Sequence, residues 1–145
     1  MKVVIALDGS PHANLALDMA AKLLASTHAE VSLLFVMPRH HVYAGEGAVR
    51  QEPSDGSEGR AAAIGLLDNA ETRLKGMGVA DIVHKEIAVG DPADMILDEA
   101  KVRCADLIVV GSRGLNAAQR FLLGSVSTKV VSHAHCPVLV VRPTD

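Results

Sequence analysis

Residues 111–128, GSRGLNAAQRFLLGSVST, hold three glycines, four hydroxyl side chains and two arginines but no acid, in a chain of formal net charge −3. Glycine lacks the Cβ that would keep a ligand from the backbone, and the N–H groups at the start of a helix attract anions. Gly111 and Gly114 form an open turn. Gly124 and Ser125 read as the cap of a helix beginning near Val126, and the hydroxyls of Ser112, Ser125 and Ser127 add donors. An acidic side chain here would repel a phosphate and compete for the same amides, so the pattern points to a phosphate-bearing ligand. A glycine turn followed by a serine-capped helix would leave the same letters without any ligand.

A second candidate is Asp8, which ends the first aliphatic run. Its carboxylate can accept from a ribose hydroxyl or meet a ligand-bound Mg²⁺; the plainer account is a turn or helix-cap aspartate before Ser10-Pro11. The common phosphate motifs are missing: there is neither a GxxxxGK[ST] loop nor a GxGxxG after the first run.

The elements that must position these residues follow from hydrophobic periodicity. Val3–Leu7, Val31–Val36, Leu107–Val110 and Val138–Val141 are uninterrupted aliphatic runs, and Ile82–Val89 is a more alternating one. Such runs suit strands buried on both faces. Between them lie helical stripes: Ala13, Leu17, Ala20 and Leu24; then Ala63, Leu67, Ala70, Leu74 and Met77; then Ala93, Ile96, Leu97 and Ala100. With the helix near Val126, five strands alternate with four helices, which predicts a doubly wound α/β domain with a parallel sheet. The 145 residues amount to one domain, 1–145. Residues 38–59 show no period and read as a long variable loop. The glycine-rich stretch then falls at the carboxyl end of a buried strand, where open α/β sheets bind ligands.

Composition excludes other classes. One Tyr, no Trp and a negative net charge leave few stacking platforms and no broad basic face for nucleic acid. The five-residue apolar run at the start is too short for an export signal or a membrane span, so a cytoplasmic protein without a membrane anchor is expected. Cys104 and Cys136, without CxxC spacing, read as reduced, buried, small apolar residues. His40 and His41 are adjacent and so diverge in an extended segment, and no metal site is expected from them. His133, His135 and Cys136 fall where a helix gives way to a strand and are explained as helix-end residues.

Gly111, Gly114, Gly124 and Ser125, spaced as glycine, two residues, glycine, nine residues, then glycine and a hydroxyl, resemble the nucleotide signature of the universal stress proteins. VVIALDGSPHANLAL, GDPADMILDEA, ADLIVVGSRG and CPVLVVR extend that resemblance over nearly the whole chain. It implies a five-stranded parallel sheet in the order 3-2-1-4-5. It also implies binding of ATP, or of ADP or AMP, with or without Mg²⁺ held through the phosphates, and a homodimer through the C-terminal strand. Carried over by position, Ala6, Leu7, Asp8 and Val36 would surround the adenosine. Val110, Gly111, Arg113, Gly114, Gly124, Ser125, Val126 and Ser127 would hold the ribose and phosphates. Arg113 stands where the family often has histidine, and its permanent charge suits either a triphosphate or solvent.

A hydrolase or phosphotransferase needs a water-positioning carboxylate, a metal ligand set and a charge-neutralising cation. Asp8, Arg113 and Arg120 are the candidates here, and they are few. A receiver domain would need an acidic neighbour beside Asp8 and an aspartate ending the third strand, and both are missing. The expected function is therefore a nucleotide-responsive binding module with no assigned catalytic residue; slow ATP hydrolysis is the alternative.

Overall fold

Each aliphatic run becomes a strand and each stripe a helix in the computed structural model, which describes residues 1–37, 57–114 and 123–143. The order is β1 (Lys2–Leu7), α1 (Pro11–Leu24), β2 (Ala29–Met37), α2 (Ser57–Gly76), β3 (Ala80–Val89), α3 (Pro92–Arg103), β4 (Leu107–Gly111), α4 (Ser125–His133) and β5 (Val138–Val141). The strands form one parallel sheet, β3-β2-β1-β4-β5. Strand β1 pairs with β2 on one side and β4 on the other, Ile5 lying opposite Leu33 and Val109. The chain reverses its winding at that point, so the carboxyl ends of β1 and β4 border the crevice characteristic of such sheets.

Alternation along the strands sorts the core into two layers. Val3, Ile5 and Leu7 of β1 join Leu17, Leu24, Leu67 and Leu74 of α1 and α2 on one face. Val4 joins Leu34, Ile96, Ile108 and Val130, with α3 and α4, on the other. With so few aromatic rings, packing rests on branched aliphatics, and Ile5, Leu33, Leu34 and Ile108 are fully buried. No helix among the described residues is long and apolar enough to cross a membrane.

Three details differ from the sequence reading. Residues 57–59, assigned there to the loop 38–59, are the first turn of α2: Glu58 complements the helix N-terminus, and the alanines that follow favour helix. Residues 38–56, with His40 and His41, lie outside the described residues. Met77, the last position of the α2 stripe, lies beyond the helix end and is 45% exposed. Gly124, not Ser125, is the N-cap of α4, and Ser125 is its first helical residue. His133 ends α4, its Nδ1 at 2.9 Å from the Lys129 carbonyl, in keeping with a helix-end role.

Candidate functional site

At the carboxyl edge of the sheet a cavity of about 450 Å³ opens between the ends of β1, β2 and β4 and the starts of α3 and α4. All twelve residues selected from the sequence line it: Ala6, Leu7 and Asp8 at the end of β1, Val36 on β2, Val110 and Gly111 on β4, Arg113 and Gly114 just after it, and Gly124, Ser125, Val126 and Ser127 at the start of α4. Ala13, Leu34, Phe35, Pro92 and Ile96 also line it and were not foreseen. Leu34 and Ile96 line it from the α3 and α4 face, beside Ala6 and Val36. One end of the cavity is thus an aliphatic slot, and the other is glycine backbone, hydroxyls and Arg113, a division that suits an amphiphilic ligand.

The turn after β1 is built around Asp8. Its Oδ1 accepts from the Ser10 N–H at 2.9 Å, an aspartate turn, and Gly9 takes φ +80°, a conformation that glycine adopts without strain. Ser10 then caps α1, accepting from the Ala13 N–H at 3.1 Å, and Pro11 occupies the first helical turn. Asp8 is therefore a turn residue and a cavity residue at once: Oδ1 is held by the backbone, while Oδ2 lies against Gly114, where an added Cβ would come within 2.8 Å of it.

The start of α1 is tied to the glycine segment. His12 Nδ1 lies 3.0 Å from the buried Ser112 hydroxyl, and a Cβ on Gly111 would fall 2.7 Å from the His12 carbonyl carbon and 2.8 Å from the Ala13 nitrogen. Gly111 is glycine because a helix backbone crosses it, a reason invisible in the sequence, where it read as room for a ligand.

The start of α4 is fixed by a neighbouring carbonyl. Ser112 O accepts from the Gly124 N–H at 2.8 Å and from Ser127 Oγ at 3.1 Å; Ser127 Oγ is also 3.0 Å from Gly124 O. Ser127 is 2% exposed, so its hydroxyl holds the segment's two ends together and does not donate freely to a ligand, as the sequence had suggested. The N–H groups of the first turn of α4, unpaired within the helix, remain as anion donors at the cavity rim, with the exposed Ser125 among them.

Among the described lining residues Asp8 is the sole acid and Arg113 the sole base. Asp91, the N-cap of α3, and Asp94 are both paired with Lys129 of α4, at 3.2 and 2.7 Å. The Asp94 N–H and Lys129 hold the Asp91 carboxyl below its usual range, and the pair clasps the two helices that flank the cavity. Among the described residues no cluster of three or more His, Cys, Asp or Glu could hold a metal ion. Of the two cysteines expected to be buried, Cys104 is exposed, because it caps the C-terminal end of α3, and Cys136 is half-buried, its thiol pushed up by burial. Arg120, the remaining sequence candidate, lies outside the described residues.

Residues 1–142 match the profile of the Universal stress protein family. The chain is 34% identical to universal stress protein YxiE of Bacillus subtilis, covering 97% of this chain and 98% of that relative. Its fold superposes on a universal stress protein in complex with cAMP at TM-score 0.73 and 29% identity, covering 99% and 98% of the two chains. It also superposes on a universal stress protein family protein from Arabidopsis thaliana with AMP bound, at TM-score 0.69 and 25% identity, covering 99% and 92%.

Proposed function

Because the chain belongs to the universal stress protein family, we propose that it binds an adenine nucleotide, ATP or its ADP or AMP form, in the cavity at the carboxyl ends of β1 and β4. The observation that carries this reading is the convergence of all twelve sequence-selected residues on one cavity with an apolar end and an anion-attracting end. The cAMP and AMP held by two structural relatives support it. The base lies in the slot of Ala6, Leu34, Val36 and Ile96, the ribose meets Asp8 Oδ2, and the phosphates lie between the Gly111–Gly114 turn and the first turn of α4.

Asp8 is a lone carboxylate, too few donors for a protein-built Mg²⁺ site among the described residues; the ion would arrive on the phosphates and supply charge neutralisation there. Proton-transfer groups are equally scarce in the described lining. Asp8, the one carboxylate of that lining, already has its Oδ1 engaged by a backbone hydrogen bond, so binding rather than turnover is the signal. If ATP and ADP are to be told apart, the protein must bind them unequally, and Arg113 and Ser125 are placed to do so.

Steady-state phosphate release is expected to stay far below the usual enzyme range of ~1–10³ s⁻¹, while hydrogen exchange slows in residues 111–127 on adding ATP. Release within that range, abolished by Asp8→Ala, would establish the hydrolase alternative instead.

The same reading includes a homodimer. Strand β5 is one of the two edges of the sheet, and of its four residues only Val141 is buried, so a second copy pairing along it would cover both an edge backbone row and aliphatic surface. Sedimentation at micromolar concentration should give twice the 15.2 kDa chain mass; a monomer with and without ATP would refute this.

A further inference from the structure

The three glycines of the 111–124 segment stand in three different surroundings. A Cβ on Gly111 would strike the backbone of α1 at 2.7 Å. Among the described residues, a Cβ on Gly124 would meet nothing closer than Ser112 O at 3.4 Å, an ordinary contact. At Gly114 the neighbour among the described residues is a side-chain atom, Asp8 Oδ2, at 2.8 Å, closer than real Cβ atoms approach.

We infer that Gly114 is a positioning residue for the ribose and not a phosphate contact: the space left by its missing side chain is what lets the Asp8 carboxylate stand where it meets a sugar hydroxyl. This rests on the proposed nucleotide site and assigns a role within it. Asp8 cannot simply swing aside, because its Oδ1 accepts from the Ser10 N–H at 2.9 Å, and Ser10 is itself 1% exposed and caps α1. A methyl group at position 114 therefore either breaks that bond or rotates Oδ2 out of the cavity. Both outcomes are inexpensive for the fold, since only the end of one half-buried side chain moves. Either removes a charge-assisted acceptor from the ribose.

The two roles for Gly114 predict different losses. A glycine needed for phosphate approach would, when replaced, weaken ATP and leave adenosine untouched. A glycine needed by Asp8 would weaken both equally, because adenosine carries the ribose and no phosphate. Calorimetric titration of ATP and of adenosine into the parent, Gly114→Ala, Asp8→Ala and the double variant separates them, with circular dichroism confirming the fold of each. We expect Gly114→Ala to weaken both ligands by roughly ten- to a hundredfold, the range for a lost hydrogen bond to a charged group. In the Asp8→Ala background, where Oδ2 is gone, the same substitution should cost less than about twofold, the non-additivity of two groups acting through one contact. Adenosine affinity unchanged by Gly114→Ala, or a full additional loss in the Asp8→Ala background, would overturn the inference and leave the nucleotide site standing. A parent chain that binds neither ligand would overturn the site and the inference together.

Discussion

Replacing Gly111 by alanine is expected to lower the melting temperature by roughly 5–10 °C, from a destabilisation of about 2–3 kcal/mol. The added Cβ would lie 2.7–2.9 Å from three backbone atoms of His12 and Ala13, and backbone in the first turn of a helix cannot rotate away as a side chain can. To relieve the contact α1 must move off β4, and that motion pulls on the Ser112–His12 contact, on Ser10 and on the Asp8 turn together. Affinity for ATP should fall as well. Gly124→Ala is the control: among the described residues its Cβ meets only ordinary contacts, so its melting temperature should change far less. Thermal unfolding followed by circular dichroism compares the two, and equal melting temperatures would show that the close crossing at Gly111 is not a constraint.

The second large effect concerns the ligand alone. Ala6→Phe should weaken ATP by at least about a hundredfold while changing stability by less than about 1 kcal/mol. Ala6 belongs to the α3 and α4 face of β1, with Leu34 and Val36 beside it on β2, so a ring there enters the aliphatic slot proposed for adenine. The cavity of about 450 Å³ gives the ring room without displacing core side chains, so the bound base is lost and the sheet is kept. Calorimetry on the folded variant checks it. Affinity within threefold of the parent would place the base elsewhere.

Sequence and structure agree where the signal is periodic and diverge where it depends on who touches whom. Four aliphatic runs locate their strands to within about two residues at each end, because a strand buried on both faces leaves no room for polar alternation. The resemblance supplied the strand order, which periodicity alone does not contain. The start of α2 was read three residues late since Ser, Glu and Gly look like loop letters until the alanines behind them are weighed. Pro92 and Ile96 escaped the site reading because they belong to α3 and reach the cavity across the sheet edge. Their signal was available, for the segment GDPADMI begins at the carboxyl end of β3, on the same edge as Asp8 and Gly111. The reasons for Gly111 and Gly114 were not available, since one depends on a helix backbone and the other on a carboxylate about a hundred residues away.

An adenine nucleotide in this cavity is best detected by competition among nucleotides. The protein is mixed with equal concentrations of ATP, ADP, AMP, cAMP and GTP, freed of unbound solute, denatured, and the released molecules are identified by mass spectrometry. Close to one adenine nucleotide per chain is expected from the parent, with no comparable GTP, and almost none from Ala6→Phe. Release of GTP equal to the adenine nucleotides, or of nothing from a folded parent chain, would contradict it.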